Sequence, residues 1–307
     1  MTQTLPRLVV FGEALTDFIH DGSQQWTSIA GGSCWNVARV GARLGLPTGF
    51  AGTVSRDVFG DELMQRSAEA GLDPRFMHQV DHPPLLAMVV SKHPPSYFFI
   101  GENSADLAFD PARLPEGWLD AVEIVHFGSL GVVREPLASR LIELAEAARA
   151  AGKRISFDPN FRAPMAHPSY RATLRRMAEL ADYIKVSDED LAALLPEFDE
   201  AGALAQLRAW SPRAAVLVTR GASGMELFSG EQQLFQPAFR VEIVDTVGCG
   251  DACVGGWMTS LLQRPDAPDQ EHLRFASACA ALSGTRAGPY AASAAEVEAL
   301  LASTASA

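Results

Sequence analysis

Short apolar segments alternate with helical patterns along most of this 307-residue chain, and this alternation limits the folds open to it. Five segments have the length and apolar character of buried strands: residues 7–13, 122–127, 154–158, 183–186 and 215–219. Apolar residues also recur at helical spacing within residues 57–71 and 137–148, and Gly152 supplies a stop for the second helix. Strands that alternate with helices of this length form βαβ units. The sequence therefore predicts an α/β fold with a mostly parallel central sheet covered by helices on both faces.

Two strand-like regions depart from this alternation because no helix separates their runs. Residues 17–22 form the first region, and residues 85–91 with 96–101 form the second. We expect a small β-sheet lid at about residues 15–30 and 85–103, inserted in one domain that spans residues 1–307. A lid of this kind covers a substrate and excludes water. The alternative is that these runs are edge strands of the main sheet.

Composition excludes several classes of protein. The formal net charge of −12 at pH 7 argues against a nucleic-acid surface, because phosphate backbones are bound by clustered Lys and Arg. The hydrophobic content of 48% is enough for a sizeable core, yet no apolar run approaches the roughly 20 residues needed to span a bilayer. The N-terminus has no basic region followed by an apolar segment, so we expect a cytoplasmic protein without nucleic-acid or membrane partners. Four cysteines lack the spacing of a zinc site and are expected to stay reduced: Cys34, Cys249, Cys253 and Cys279.

A turn of small residues at 244–252 ends in a carboxylate where an amphipathic helix begins. Gly248 and Gly250 let the backbone approach an anion, and the first amides of a helix have no internal acceptor. Asp251 would then lie beside a transferring phosphoryl group, where a carboxylate is useful only if it takes the proton of an attacking hydroxyl. The turn therefore favours a sugar kinase with Asp251 as its base, against the alternative of an ordinary capped helix start.

A second glycine-rich segment, residues 30–45, opens another helix and offers groups that bind a sugar. Gly31 and Gly32 permit close approach of a polyol, and Asn36 offers a donor and an acceptor to its hydroxyls. The alternative is that Asn36 has only a structural role at the start of the helix.

The two glycine-rich segments together resemble the signature regions of a known family. The sequences GGSCWNVARVGARLG and DTVGCGDA are similar to those of the ribokinase, or PfkB-type, sugar kinases. Segments 157–162, 185–190 and 218–224 match the family in the same order, and the resemblance extends from Val9 to about Ser293. It implies a ribokinase-like three-layer α/β/α sandwich with a small β-sheet lid, and a carbohydrate kinase that uses ATP and Mg²⁺.

The resemblance also implies roles at the reacting groups. Asp251 would be the base, and the amides of Gly248, Cys249 and Gly250 would form an anion hole for charge on the transferred phosphoryl group. Cys249 stands where alanine is more usual, and its small volume suits the same role. Function should therefore survive this difference from the family.

On the substrate side, the resemblance implies that Asp17, Gly32 and Asn36 hold sugar hydroxyls. Gly31 lies beside them, where the absence of a side chain lets the sugar come close to the backbone. Arg162 would reach phosphate or substrate, because a guanidinium suits both. The alternative for Arg162 is an internal salt bridge.

The nucleotide and metal sites follow from the same resemblance. Ser187 and Asp190 stand where the family usually has Asn and Glu, and Asp190 would hold water around Mg²⁺. A monovalent cation such as K⁺ would bind Asp245 and the carbonyl of Val247. The residues expected to bind ATP are Ser187, Thr219, Gly221, Gly224, Gly248 and Gly250.

The substrate is expected to be a neutral sugar. Relatives that phosphorylate 2-keto-3-deoxygluconate tend to carry an Arg near the position of Gly101, and this chain has none there. Glu102 and Asp106 stand nearby and disfavour an anionic ligand. Segments 126–130 and 157–162 look most like bacterial fructokinases. The sequence therefore predicts ATP-dependent phosphorylation of D-fructose at its 6-hydroxyl.

Several alternatives stay open at this point. Within the family they are a 2-keto-3-deoxygluconate kinase and a ribokinase or nucleoside kinase. A different class is a non-catalytic sugar-binding regulator, against which the intact Asp251 argues. A dinucleotide-binding dehydrogenase would carry GxGxxG after the first strand, which residues 11–15 lack. We also expect a homodimer through the lid, because lid strands with Ile19, Met88 and Val90 would gain by pairing with a second copy.

Overall fold

The computed structural model describes residues 4–20, 22–92 and 95–303. The two ends of the predicted 1–307 domain lie outside these ranges, as do residue 21 and residues 93–94 of the predicted lid segments.

The strands within these ranges are β1 (Leu8–Phe11), β2 (Leu15–His20), β3 (Trp26–Gly31), β4 (Thr48–Ser55), β5 (Met77–Val80), β6 (Leu86–Lys92), β7 (Pro95–Ile100), β8 (Ile124–Gly128), β9 (Arg154–Asp158), β10 (Tyr183–Ser187), β11 (Ala215–Thr219), β12 (Met225–Ser229) and β13 (Gln232–Gln236). The α-helices are α1 (Ser33–Arg43), α2 (Val58–Ala70), α3 (Trp118–Ala121), α4 (Leu137–Ala150), α5 (Tyr170–Leu180), α6 (Asp188–Leu194), α7 (Glu200–Trp210), α8 (Cys249–Gln263), α9 (Asp269–Gly284) and α10 (Ala294–Ser303). Across the described part of the chain, every helix is too short or too polar to cross a membrane.

Nine of the described strands form one sheet in the spatial order β13, β12, β11, β10, β9, β8, β1, β4 and β5. Neighbouring strands from β11 to β5 are parallel, whereas β12 is antiparallel to both β11 and β13. The five apolar segments of the sequence all lie in this sheet, as β1, β8, β9, β10 and β11.

Both faces of the central sheet are covered by helices. In β1, Val9 and Phe11 belong to a core shared with α4, α5 and α7, whereas Leu8 and Val10 belong to a second core shared with α1, α8 and α9. This two-sided burial explains why the strand is a continuous apolar run and not an alternating one. The predicted α/β sandwich with a mostly parallel sheet is confirmed.

Helix boundaries agree with the sequence where capping residues mark them. Asp57 precedes α2 and accepts hydrogen bonds from the amides of Phe59 and Gly60, each at 3.0 Å. Gly71 follows α2 with a φ of +85°, the left-handed conformation that ends many helices.

The other four described strands form a separate sheet in the order β3, β2, β6 and β7. The pairs β2–β3 and β6–β7 are antiparallel, and β2 pairs with β6 in parallel. The strands predicted as a lid therefore make their own sheet, and the alternative that they extend the edge of the main sheet is wrong. Asp17 pairs with Ala87, and Ala87 pairs with Phe99, so these side chains share one face of the small sheet.

Candidate active site

A cleft of about 1280 Å³ lies between the small sheet and the carboxyl ends of the main-sheet strands. Glu13, Asn160 and Gly221 follow β1, β9 and β11, and all three line the cleft. Ala87 and Phe99 line it from the small sheet. Open α/β sheets bind their ligands at this edge, so the fold places the candidate site where the strands end.

Asp251 lines the cleft from the first turn of α8. Its buried carboxylate accepts hydrogen bonds from Ser33 Oγ at 2.6 Å and from Asn36 Nδ2 at 2.9 Å, both at the start of α1. Burial raises the pKa of Asp251, and the hydrogen bonds from Ser33 and Asn36 oppose that rise. The structure thus joins the two glycine-rich segments at one carboxylate, which faces a cleft and is suited to accept a proton.

The residue directly before α8, Gly248, has to be a glycine. Gly248 has a φ of +80°, and a Cβ on it would lie 2.8 Å from Cα of Pro289. The amide of Gly250 has no hydrogen-bond acceptor among the described residues, whereas the amide of Cys249 donates to the carbonyl of Thr246 at 3.2 Å. The Gly250 amide therefore has a free donor in the first turn of the helix. The Cys249 amide would have to break its bond to Thr246 before it could bind a ligand. The anion-binding roles of both residues stay predictions.

The predicted sugar-binding groups lie beside Asp251. Asp17 lines the cleft from β2, and a Cβ on Gly31 would collide with its carboxylate. Burial raises the pKa of Asp17 to about 6, an effect that Arg162 opposes and Asp251 reinforces. Asn36 Oδ1 is buried without a hydrogen-bond partner in the described part of the chain. A hydroxyl of a bound sugar would satisfy this acceptor.

Arg162 lines the cleft and directs its guanidinium onto oxygen atoms of the two preceding residues. Its Nη1 donates to Asn160 Oδ1 at 2.8 Å, to the Asn160 carbonyl at 3.1 Å and to the Phe161 carbonyl at 2.7 Å. Each of these acceptors is neutral, so they do not provide the salt bridge that was the alternative for Arg162. The positive charge instead opposes the rise that burial causes in the pKa of Asp17 and of Asp251.

The turn between β11 and β12 brings the predicted nucleotide-binding glycines to the cleft. Thr219, Gly221 and Gly224 line it, together with Ser187 at the end of β10. Gly221 and Gly224 have φ angles of +49° and +98°, and a Cβ on Gly224 would collide with the carbonyl of Gln236. This wall of the cleft is therefore built from backbone.

Asp190 does not fit direct coordination of Mg²⁺. Its Oδ1 accepts the amide of Phe161 and its Oδ2 the amide of Ser187, each at 2.8 Å, and Oδ2 lies 3.9 Å from Lys185 Nζ. Within the described ranges, no group of three or more His, Cys, Asp or Glu side chains has the arrangement of a metal site. The predicted role of Asp190, through water, stays a prediction.

Asp245 also uses its carboxylate to shape the chain. Its Oδ1 accepts the amide of Val247 and its Oδ2 the amide of Gly288, each at 3.1 Å. These bonds hold the turn that precedes α8. Binding of K⁺ by Asp245 and the carbonyl of Val247 stays a prediction.

Lys185 is a buried cation of the cleft that the sequence patterns did not single out. Its Nζ lies 3.1 Å from Asp158 Oδ2 and 3.1 Å from the place that a Cβ on Gly250 would take. Burial lowers the pKa of Lys185, but Asp158 and Asp190 outweigh that effect and raise it. The signal was a lysine inside an apolar strand, because a charge buried in a covered sheet requires a partner.

Glu13 is a second residue that the motifs missed. It is 1% exposed, and its carboxylate accepts the amide of Gly131 at 3.1 Å. Burial raises the pKa of Glu13 to about 7. A Cβ on Gly32, which has a φ of +111°, would lie 2.7 Å from the Glu13 carbonyl oxygen. The signal was a carboxylate placed directly after a buried strand.

The charges near Gly101 differ from those expected from the sequence. Arg134 reaches this point from another part of the chain and donates to the Gly101 carbonyl and to Asp106. Asp106 is 3% exposed and paired with Arg134, so it does not oppose an anion in the cleft. The expectation that Asp106 selects against acidic sugars is therefore wrong.

A buried carboxylate between the predicted sugar-binding groups and the predicted anion-binding turn fits a small-molecule kinase, which needs a base next to its phosphate site. The sequence profile of the pfkB family carbohydrate kinases matches residues 5–296. The chain therefore belongs to the pfkB family of carbohydrate kinases, as the glycine-rich segments predicted.

Relatives agree in sequence and in fold. A fructokinase of Klebsiella pneumoniae is 34% identical over 295 residues, which cover 92% of this chain and 94% of that protein. The crystal structure of fructokinase with bound ATP from Xylella fastidiosa has a TM-score of 0.89 at 31% identity and covers 98% of this chain and 100% of that chain. A fructokinase double mutant from Vibrio cholerae O395, in fructose, ADP and potassium ion bound form, has a TM-score of 0.85 at 28% identity, with the same coverage of 98% and 100%. The predicted ribokinase-like fold is confirmed.

Proposed function

We propose that this chain transfers the γ-phosphoryl group of ATP to the 6-hydroxyl of D-fructose. The observation that carries the proposal is the buried carboxylate of Asp251, held by Ser33 and Asn36 at the junction of the sugar groups and the turn at Gly248. The similar proteins named above as fructokinases support the choice of fructose.

Each residue of the site has its own role in the proposed reaction. Asp17 and Asn36 hold sugar hydroxyls, and Asp251 takes the proton of the primary hydroxyl as its oxygen attacks the γ-phosphorus. One bond forms between that oxygen and phosphorus, and the bond to the β–γ bridging oxygen breaks, which releases ADP. The amide of Gly250 donates to the phosphoryl oxygens while their charge develops. Lys185 places a protonated amine beneath the same turn.

ATP is the phosphoryl donor in this proposal, and it enters as its Mg²⁺ complex. Because backbone amides engage both carboxylate oxygens of Asp190, phosphate oxygens and water would supply most ligands of the metal, and Asp190 would act through water. The bound metal would neutralise phosphate charge. A cytoplasmic location, where ATP is supplied, stays a prediction.

A neutral sugar fits the charges of the cleft. Asp17 and Asp251 both line the region where the sugar groups meet, and two carboxylates disfavour an acidic ligand there. The charges of Asp17 and Asp251 therefore make a 2-keto-3-deoxygluconate kinase the weaker candidate. Membership in a family of kinases leaves a non-catalytic regulator without support.

A panel of sugars with MgATP tests the proposed substrate. We expect kcat/KM for fructose to exceed that for 2-keto-3-deoxygluconate, ribose and adenosine by at least about tenfold. Release of ADP, measured in a coupled assay, reports all four reactions on one scale. Faster phosphorylation of the acidic sugar or the nucleoside would rule out fructose as the substrate.

We also propose a homodimer through the outer face of the small sheet. Phe98 and Ile100 are 52% and 50% exposed, on the face of β7 opposite Phe99. Ile19, which was expected on this surface, pairs with Val89 on the cleft side.

Light scattering at micromolar concentration tests the proposed dimer. The wild type should have twice the mass of one chain, and Phe98→Asp should have the mass of one chain. Phe235→Asp makes the same change at a 55% exposed site outside the lid and should stay dimeric, whereas a monomeric wild type would contradict the proposal.

A further inference from the structure

A series of hydrogen bonds links Arg162 to Asp251 through residues that line the cleft. Arg162 Nη1 donates to Asn160 Oδ1 at 2.8 Å, and Asn160 Nδ2 donates to Ser33 Oγ at 2.6 Å. Ser33 Oγ in turn donates to Asp251 Oδ1 at 2.6 Å. Three side chains from two segments of the protein are thereby connected to the carboxylate that acts as base in the proposed function.

The donor and acceptor groups set the direction of each bond in this series when Asp251 is ionised. A guanidinium has donors only, so Arg162 must meet the carbonyl oxygen of the Asn160 side chain. The amide nitrogen of Asn160 then faces Ser33, and because that nitrogen also has donors only, the hydroxyl of Ser33 accepts there. The single hydroxyl proton of Ser33 is then left for Asp251, whose ionised carboxylate has acceptors only. The bond that Ser33 donates therefore favours the ionised form of Asp251.

The backbone around Asn160 holds this series of hydrogen bonds in place. Asn160 has a φ of +43°, a conformation that Asn adopts more readily than most residues. Its amide donates to Asp158 Oδ1 at 2.9 Å, and the other oxygen of Asp158 lies 3.1 Å from Lys185 Nζ. The buried ion pair therefore anchors the residue that aims its side chain at Ser33.

We propose that Ser33 and Asn160 are positioning residues that keep the carboxylate of Asp251 ionised and aimed at the sugar, and that they connect it to Arg162. The inference rests on the proposed function, because it assigns a purpose to the environment of the base. An anion or sugar hydroxyl that binds Arg162 shares the guanidinium with Asn160, so its binding changes how strongly Arg162 polarises the Asn160 side chain. Occupancy of the cleft at Arg162 thus acts on the base through two intervening side chains.

The test is the pH dependence of kcat/KM for fructose in Ser33→Ala. Loss of a hydrogen bond to the charged form favours the protonated acid, so the acidic limb of the profile moves to higher pH. We expect kcat/KM to fall about tenfold at the acidic end and the deficit to shrink as the pH rises. Ser33→Thr keeps the hydroxyl and should restore the wild-type limb. A Ser33→Ala profile that superposes on the wild-type profile would overturn the proposal.

Two further variants separate this role from packing and from the base itself. Ser67→Ala removes another buried hydroxyl, which bonds to Trp35 and Leu63 outside the cleft, and should leave the limb in place. Asn160→Asp suits the same backbone but replaces the donor to Ser33, so it should move the limb in the same direction as Ser33→Ala. Thermal unfolding identifies variants that fail to fold. An inactive Asp251→Asn beside an unchanged Ser33→Ala would reject only the hydrogen-bond chain, whereas an active Asp251→Asn would reject the proposed function.

Discussion

Replacement of Gly248 by alanine is expected to lower kcat/KM for MgATP about 100-fold. Gly248 has a φ of +80°, where an L-residue costs about 1–2 kcal/mol, and a Cβ would lie 2.8 Å from Cα of Pro289. The colliding atoms are the Cα and the ring Cβ of Pro289, so no flexible side chain can move aside. The turn has to shift, and the amide of Gly250 moves with it away from the phosphoryl group. Steady-state kinetics with varied MgATP at saturating fructose measure the loss.

Gly45→Ala is the matched control for this substitution. Gly45 has a φ of +81°, and nothing lies within 4 Å of the place that its Cβ would take. The control therefore carries the backbone strain without the collision, and should lose about 1 kcal/mol of stability with unchanged kinetics. If Gly248→Ala kept wild-type kinetics, the turn would not be part of the phosphate site. An equal loss in Gly45→Ala would assign the effect to destabilisation.

Asp251→Asn is expected to lower kcat about 10³-fold while fructose affinity changes by less than about threefold. The amide has the shape of the carboxylate, and its oxygen still accepts from Asn36 while its nitrogen faces the Ser33 oxygen. The cleft therefore keeps its form. An amide cannot take the proton of the sugar hydroxyl, so only the contribution of positioning remains. A rapid-quench single turnover separates this loss in chemistry from any change in binding.

Much of the fold could be predicted because the central strands are buried on both faces. Such strands are continuous apolar runs, and all five that the sequence showed are in the sheet. β4 was missed because its sequence, TGFAGTVS, is rich in small and polar residues, although all eight are buried. Its small residues match large neighbours, since a Cβ on Gly49 would lie 2.9 Å from the ring of Phe76. This complementarity depends on tertiary contact and leaves no local pattern.

The candidate site was predictable where a short segment contains both glycines and polar side chains. The segments around Asn36 and Asp251 each suggested a role, and the structure joins them by a hydrogen bond between residues 215 positions apart. Lys185 and Asp158 were missed because each lies in a strand, and their purpose follows only from the pairing of β9 with β10. Arg134 was missed because its contact with Gly101 joins segments that share no motif.

The central claim is that Asp251 deprotonates the 6-hydroxyl of fructose, and a single-turnover reaction of wild type and Asp251→Asn tests it most directly. Enzyme in excess over labelled ATP is mixed with saturating fructose and quenched, and calorimetry measures fructose binding to both proteins. We predict that the wild type forms ADP and fructose 6-phosphate, and that the variant binds fructose but transfers the phosphoryl group about 10³-fold more slowly. Transfer by the variant within about tenfold of the wild-type rate would contradict the assignment of Asp251 as the base.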